Sequence, residues 1–184
     1  MNSLKMPKVR TGKPRMFAAI VLLFCCVYIS MFAAWAYQSG FRINLSPSVP
    51  TGIWKIISRR YDVESPDEYV VVSANDHWGY KLAMERGYLN NFSPMLKRVT
   101  ATEADIVDYD EDERAVIVNG SYLFMTEIFS MDMEGRTLPK AWFPTLLKKG
   151  EAWLSSENIR GYDSRYFGPV SQDILQGAIP IWKF

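Results

Sequence analysis

A serine held among prolines is the first candidate for chemistry in this sequence. Ser48 follows Pro47 and lies two positions before Pro50, and prolines restrict both their own backbone and that of the preceding residue. The backbone there should hold the Ser48 hydroxyl exposed at a fixed place. A serine hydroxyl becomes a nucleophile when a neighbouring base takes its proton. Taken alone, the segment fits a proline-rich spacer better, so the interpretation of Ser48 depends on finding that base.

A lysine in an apolar segment offers a candidate base. An ordinary lysine amine, with a pKa of about 10.4, is protonated at neutral pH and must be desolvated before it can accept a proton. In a predicted strand, alternate side chains share a face, so Lys97 lies with Met95 and Val99. Those apolar neighbours favour desolvation. The alternative, and the commoner arrangement, is a lysine whose amine extends from an edge strand into water.

The sequence offers few residues that could support other kinds of reaction. His77 is the only histidine, and its position before a predicted helix is more typical of a surface or capping residue than of a catalytic base. Cys25 and Cys26 are adjacent in an apolar run, which excludes a disulfide framework and a cysteine-rich metal site. The sequence patterns of nucleophile elbows, zinc helices and phosphate-binding loops are absent. No metal ligands cluster, so no cofactor is expected.

The composition is that of one folded domain with an uneven charge distribution. The chain has 184 residues, of which 48% are hydrophobic and 22% charged, far from the composition of disordered chains. Its net charge is +1, but residues 1–15 contain five Lys and Arg residues and no acid, so the rest of the chain is slightly acidic. An acidic body does not favour a nucleic-acid-binding surface, and nucleic acid is not an expected partner.

An apolar segment near the N-terminus predicts a membrane anchor. Residues 16–41 contain no charged side chain, and 22 of them in a helix rise about 33 Å, enough to cross a hydrocarbon core of about 30 Å. The alternative is a cleaved signal peptide, because residues 34–36 have the small-x-small pattern of a cleavage site. We expect a basic cytoplasmic leader over 1–15, a transmembrane anchor over 16–38 and one exported domain over 39–184.

Short apolar and β-branched runs predict a mainly β body for the exported domain. Proline recurs through it and divides the chain into short elements. The dipeptide Asn119-Gly120 tolerates the positive φ angles of a tight turn and predicts a hairpin. One helix is predicted over residues 78–88, with Gly87 near its end. The predicted strands cover residues 54–57, 69–73, 95–101, 106–109, 115–118, 122–125 and 153–155.

Three separated segments, read in order, resemble the serine–lysine signal peptidase family, and most closely its conjugative-transfer branch, the TraF-type pilin-maturation peptidases. They are NLSPSVPTGIW at 44–54, KRV at 97–99 and DSRYFGPV at 163–170. Each segment is a modest signal alone, whereas the ordered set is specific, and the similarity covers essentially the whole chain. The resemblance implies a mainly β, signal-peptidase-like catalytic domain preceded by one N-terminal transmembrane helix.

The resemblance also implies roles for individual residues. Ser48 matches the nucleophile and Lys97 the general base of a Ser/Lys dyad. The Ser46 hydroxyl and the Ser48 backbone N–H match the donors that stabilise the oxyanion of the tetrahedral intermediate. Asp163 and Arg165 match supporting positions of the last segment. The aspartate either takes part in the activity or forms an ion pair with the arginine that supports the site.

Two positions depart from the family pattern. Gly161 stands where general signal peptidases have a serine that hydrogen-bonds the catalytic lysine, so the group that orients the lysine is unassigned. The usual Gly-Asp after the lysine segment is changed to Ala104-Asp105, which we expect to be a loop variation without effect on the chemistry. Tyr166 and Phe167, in the last segment, are expected to be core aromatics rather than substrate contacts.

The activity implied by the resemblance is that of a serine endopeptidase that forms an acyl-enzyme with a membrane-held pilin precursor of a conjugation or type IV secretion system. Water resolves the acyl-enzyme, or the amino terminus of the substrate does and yields a circular pilin; the sequence leaves both outcomes open. The implied location is the bacterial inner membrane, with the N-terminus in the cytoplasm and the catalytic domain in the periplasm. The expected partners are the precursor, membrane lipids and the secretion machinery. Two alternatives remain: a general leader peptidase for exported proteins, and a non-catalytic assembly component of the machinery.

Overall fold

The computed structural model describes residues 12–60, 66–72, 77–89, 95–124 and 126–184. The described chain divides into two compact units, the first ending at Ser39 and the second running from Gly40 to Phe184. The first unit contains one helix, and the second contains all of the described strands. Most of the predicted basic leader and the ends of two predicted strands, at Ser73 and Met125, lie outside the described residues.

The first unit is helix α1, Gly12–Gln38. Its stretch Met16–Gln38 is long and apolar enough to cross a membrane, by length and composition. Large apolar side chains project from it in every direction and are exposed, as expected for a segment that finds its apolar surroundings in lipid. A signal sequence has the same properties, so the helix supports membrane targeting by either route.

The second unit is built from short antiparallel strands and small helices. Its helices are α2 Trp78–Glu85, α3 Ser164–Phe167 and a 3₁₀ turn at Gln172–Ile174. The strands are β1 Phe41–Asn44, β2 Gly52–Arg60, β3 Tyr69–Val72, β4 Met95–Ala101, β5 Ile106–Asp110, β6 Ala115–Val118, β7 Ser121–Tyr122, β8 Thr145–Leu146, β9 Glu151–Ser155, β10 Val170–Ser171 and β11 Leu175–Lys183.

These strands form two sheets. The larger has the order β1-β2-β11-β3-β4-β9-β10, and the smaller has the order β7-β6-β5-β8. Every pairing of neighbouring strands is antiparallel. The predicted fold class, a mainly β domain after one N-terminal apolar helix, is confirmed.

Two predicted strands have the limits that the sequence indicated, and the predicted hairpin forms with a shorter second strand, β7. Strands β4 and β6 begin and end where the apolar runs do. Asn119 and Gly120 connect β6 to β7 with φ angles of +50° and +83°. Both residues therefore adopt the left-handed conformation that a two-residue hairpin turn requires.

Helix α2 is shorter than predicted. It ends three residues before the predicted limit, where the N–H groups of Arg86 and Gly87 donate to the carbonyls of Leu82 and Met84. Gly87, with φ at +74°, then turns the chain away from the helix axis.

The strand predicted over 122–125 is wrong at Leu123 and Phe124, since β7 ends at Tyr122. The Leu123 N–H still donates to the Val116 carbonyl, at 2.8 Å. The N–H of Val116, however, donates to the Thr126 hydroxyl at 2.8 Å. A side chain thus replaces the backbone partner, and the ladder ends there.

Six short or irregular elements of the described chain were not predicted: β1, β8, β10, β11, α3 and the 3₁₀ turn at Gln172–Ile174. The longest of them, β11, contains Gly177 and Pro180, which ordinarily argue against a strand. Irregularities in the pairing with β2 fall at Gln176/Ala178 and Pro180/Trp182 and accommodate both residues.

Strand β4 passes through the centre of the core. Met95 and Val99 belong to one buried apolar cluster, Leu96 to a second and Ala101 to a third. Alternate side chains of β4 therefore enter different parts of the core, in agreement with the predicted alternation. Lys97 lies between Leu96 and Arg98 on this strand. Because the strand is not at an edge of the sheet, the Lys97 side chain is covered, whereas on an edge strand it would be exposed to water.

Candidate active site

The loop between β1 and β2, residues 45–51, is closed by the side chain of Asn44. Its Oδ1 accepts from the Ser46 N–H at 3.1 Å. Its Nδ2 donates to the carbonyls of Ser46, Val49 and Pro50 at 2.9, 3.1 and 3.2 Å. The one side-chain amide thus contacts four backbone groups. In a loop without regular strand pairing, these groups would otherwise form hydrogen bonds with water. The loop has a defined conformation although it belongs to neither sheet.

Ser48 lies in this loop beside Ser46. The hydroxyl of Ser46 donates to the Ser48 Oγ at 3.1 Å and accepts from the Ser48 backbone N–H at 3.3 Å. The Ser48 carbonyl points the other way and accepts from the Glu157 N–H at 2.7 Å and the Ser156 hydroxyl at 3.2 Å. The residues predicted as nucleophile and oxyanion donors are therefore neighbours in space, and the Ser48 backbone is tied to the segment after β9.

Lys97 lies in β4, with β3 on one side and β9 on the other, and opposite Val70. Its side chain is 5% exposed. Burial lowers the pKa of Lys97 from about 10.5 to about 8; the charge of Asp163 opposes this decrease and that of Arg165 adds to it. The amine is therefore desolvated, as the base hypothesis requires.

Ser48 and Lys97 line the same cleft, which has a volume of about 830 Å³. Ser46 and Gly161 also line it, whereas Asp163 and Arg165 do not. Its lining combines apolar side chains such as Trp54 and Leu96 with the polar groups of the serines, the usual character of a ligand-binding site. Part of the lining comes from the chain after α2 and from the long connection between β7 and β8: Tyr88, Leu89, Phe129, Met131, Asp132, Met133, Glu134 and Leu138.

The family model for signal peptidase, peptidase S26, matches residues 13–182, nearly the whole chain. The chain belongs to the signal peptidase family, peptidase S26. This is a family of serine peptidases of the signal peptidase type. The ordered segments at 44–54, 97–99 and 163–170 thus lie inside the matched range.

Relatives of this signal peptidase-type chain carry conjugation-related names. A "Conjugal transfer protein TraF" of Agrobacterium fabrum is 30% identical over 152 residues, covering 79% of this chain and 84% of that protein. A "Plasmid transfer protein TraF" of Escherichia coli is 32% identical over 151 residues, covering 77% of this chain and 82% of that protein. These similarities confirm the predicted family and its TraF-type branch.

Asp163 and Arg165, the supporting residues predicted from the last segment, form an ion pair inside the peptidase domain. They are 0% and 1% exposed. The guanidinium donates to both carboxylate oxygens at 2.8 Å, and its remaining N–H groups donate to the carbonyls of Glu127, Ile159 and Gly161 at 2.6 to 2.9 Å. A buried pair with its hydrogen bonds satisfied is the condition under which such charges are tolerated.

The two departures from the family pattern occupy different places. Gly161 lines the cleft, and a Cβ atom built there would lie 2.0 Å from the Ser156 Oγ. Ala104 and Asp105 form the turn between β4 and β5, where Ala104 has φ at +70°. The Asp105 carboxylate accepts from the Thr102 N–H at 2.7 Å. Neither turn residue lines the cleft.

Hydrogen bonds and ion pairs of Asp132, a residue that sequence reasoning missed, connect two segments that line the cleft. Asp132 accepts from the Tyr88 hydroxyl at 2.5 Å and from the Arg136 Nε at 2.6 Å, and Arg86 lies 3.6 Å away. These contacts join the connection at 130–138 to the chain after α2. Short-range sequence patterns carried no signal for this, since Arg86 and Tyr88 lie about 45 residues before Asp132.

His77 packs against Phe167, one of the two aromatic residues that were predicted to lie in the core. The His77 ring lies 5.2 Å from that of Phe167, and its side chain makes no capping hydrogen bond to α2. Burial lowers the pKa of His77. Phe167 is 5% exposed and belongs to a buried apolar cluster, whereas Tyr166, which is 2% exposed, also lines the cleft. Among the described residues, no group of three or more His, Cys, Asp or Glu side chains could hold a metal ion.

Proposed function

We propose that this protein is a membrane-anchored serine endopeptidase in which Ser48 is the nucleophile and neutral Lys97 the general base. The observation that carries the proposal is the burial of the Lys97 amine beside the cleft that Ser48 lines. With a pKa of about 8, roughly a tenth of the amines are neutral at pH 7. An ordinary lysine would have only about four neutral amines in ten thousand.

The proposed reaction forms and then breaks an acyl-enzyme. Lys97 takes the hydroxyl proton as the Ser48 Oγ attacks the scissile carbonyl. The Ser46 hydroxyl and the Ser48 N–H, which pair with each other in the free protein, turn to the oxyanion. The Lys97 ammonium then donates its proton to the departing amine, the peptide C–N bond breaks, and the acyl group remains on Ser48.

The ion pair of Asp163 and Arg165 has a supporting role in this proposal. The two charges act on the Lys97 pKa in opposite directions, and burial is the largest cause of its decrease. With both carboxylate oxygens engaged by Arg165, Asp163 is not available as a proton acceptor. We assign it to holding the site rather than to proton transfer.

We further propose that the substrate is a pilin precursor of a conjugation or type IV secretion system. The conjugation-related names of the relatives support this substrate. In this proposal residues 1–15 lie in the cytoplasm, 16–38 anchor the chain in the bacterial inner membrane, and 39–184 form the periplasmic peptidase domain. About ten residues separate the anchor from Ser48, which keeps the nucleophile within reach of a membrane-held substrate.

The test incubates membranes containing the protein with the pilin precursor and determines product masses. The wild-type protein should release a segment, and Ser48→Ala should leave the precursor intact. A product one water heavier than its circular form indicates hydrolysis, and the lighter species indicates cyclisation. An unchanged precursor with cleavage of other exported proteins would indicate a general leader peptidase. Normal pilus production by Ser48→Ala would indicate an assembly component.

A further inference from the structure

We propose that Ser156 is a positioning residue for the nucleophile, a role that rests on the proposed function of Ser48. The Ser156 side chain is 4% exposed. Its hydroxyl donates to the Ser48 carbonyl at 3.2 Å and accepts from the Asn158 N–H at 3.2 Å. The side chain therefore joins two parts of the chain that are 108 residues apart in sequence.

The Ser48 carbonyl receives two hydrogen bonds from consecutive residues. The Ser156 hydroxyl supplies one, and the Glu157 N–H supplies the other at 2.7 Å. A carbonyl oxygen has two acceptor sites, so this one is saturated by the segment after β9. Its orientation is therefore determined by that segment as well as by the loop that contains Ser48.

The same segment is tied to the buried ion pair. The Ser156 N–H donates to the Asp163 Oδ2 at 2.8 Å, and Arg165 donates to both carboxylate oxygens. A continuous set of contacts thus runs from the Ser48 carbonyl through Ser156 to Asp163. In this proposal the ion pair supports the Ser48 backbone through this set of contacts.

Because Gly161 has no side chain, the Ser156 hydroxyl can occupy the space next to it. A Cβ atom at position 161 would lie 2.0 Å from the Ser156 Oγ and 2.2 Å from its Cβ. The φ angle of Gly161 is not in the left-handed region, so lack of space rather than backbone conformation excludes a side chain there. The Gly161 carbonyl also accepts from Arg165 at 2.8 Å, which holds its backbone in place.

Small errors in the position of a nucleophile reduce the rate of attack without changing how tightly the substrate binds. We therefore expect Ser156→Ala to lower kcat by about 3- to 30-fold, from the loss of the two hydrogen bonds of its hydroxyl and a less defined Ser48 backbone. KM should be unchanged. The alanine variant keeps the backbone N–H that contacts Asp163, so the pH dependence due to Lys97 should also be unchanged.

Ser155→Ala is the matched control. Ser155 is 6% exposed, and its hydroxyl pairs with that of Thr100 at 2.8 Å, away from the nucleophile loop. The experiment measures kcat, KM and the pH profile of precursor cleavage for both variants, with rates expressed per folded molecule from thermal unfolding. A selective decrease of kcat in Ser156→Ala supports the role. Equal kcat values for the two variants overturn it.

A second pair of variants tests the spatial argument. Gly161→Ser should reduce kcat and lower the Tm, because its side chain collides with Ser156. Combining Ser156→Gly with Gly161→Ser removes the collision and should recover part of both quantities. A double variant no better than Gly161→Ser overturns the account of Gly161.

The proposed function and this role fail in different ways. Equal cleavage by the wild-type protein and Ser48→Ala would overturn the proposed function, and the role of Ser156 with it. Cleavage that is lost in Ser48→Ala but unaltered in Ser156→Ala would overturn the role of Ser156 alone.

Discussion

Ser48 lies in a loop whose conformation is maintained by polar contacts, whereas Lys97 lies in a strand maintained by apolar packing. The loop is closed by the Asn44 amide and by donors from residues 156–157. Strand β4 is paired on both sides and contributes to three core clusters.

The difference corresponds to what each group needs in the proposed reaction. A nucleophile must meet an incoming substrate, so it cannot be covered by the core. A lysine base must lose water to become neutral, so it must be covered. The cleft is where the exposed loop and the buried strand meet.

The largest effect is expected from Lys97→Arg. A guanidinium stays protonated at any ordinary pH and cannot serve as a base, so precursor cleavage should fall by about 10⁴-fold. Product formation over time by mass spectrometry gives the rate. The control is Lys183→Arg, at an exposed position near the end of β11. Cleavage at the wild-type rate in Lys97→Arg would remove the dyad hypothesis.

Loss of an oxyanion donor from the loop should have the next largest effect. Ser46→Ala should lower kcat by about 10²- to 10³-fold, because one of two donors to the oxyanion is missing. The exposed Ser121 on β7 offers a control, and Ser121→Ala should cleave at the wild-type rate. A decrease confined to KM would indicate that Ser46 contacts the substrate in the ground state instead.

The pH dependence of cleavage distinguishes a desolvated lysine from an ordinary one. Since burial lowers the Lys97 pKa to about 8, kcat/KM should rise with pH and level off above it. The value at pH 6 should be about a hundredth of the plateau. A midpoint near that of a solvated lysine would mean that the amine is not desolvated in the working enzyme.

Burial of Lys97 should cost stability, with a defined pH dependence. The unfolded chain holds this proton up to about pH 10.4 and the folded chain only to about pH 8, so folded stability rises with pH between those values. Lys97→Met should therefore be more stable than the wild-type protein by about 3 kcal/mol at pH 7, and by little near pH 10.5. Denaturant unfolding at both pH values measures the difference, which a pH-independent result would contradict.

The smallest effect is expected from removing the side-chain amide that holds the loop in its conformation. Asn44→Ala removes four hydrogen bonds of one amide and should lower the free energy of unfolding by about 1 to 2 kcal/mol, with a roughly tenfold lower kcat. Asn44→Asp keeps the acceptor for the Ser46 N–H, but it loses the donors and sets a carboxylate oxygen against the carbonyls that they contacted. An aspartate variant as active as the wild-type protein would show that the donors are unimportant.

Sequence patterns predicted the elements that local chemistry determines. Strand β4 and the Asn119-Gly120 hairpin formed as predicted because their residues have strong local preferences. Strand β11 was not predicted because Gly177 and Pro180 weaken such preferences. It forms because it lies between β2 and β3, whose pairing compensates for both residues.

The order and spacing of the segments at 44–54, 97–99 and 163–170 were enough to identify the family and to choose Ser48 and Lys97 as candidates. Only the tertiary structure decided that the lysine is desolvated and that Ser156 contacts the Ser48 backbone. The reason is physical: both properties depend on groups contributed by segments far apart in the chain. Residue type and local spacing carry no information about which distant segments will exclude water or donate a hydrogen bond.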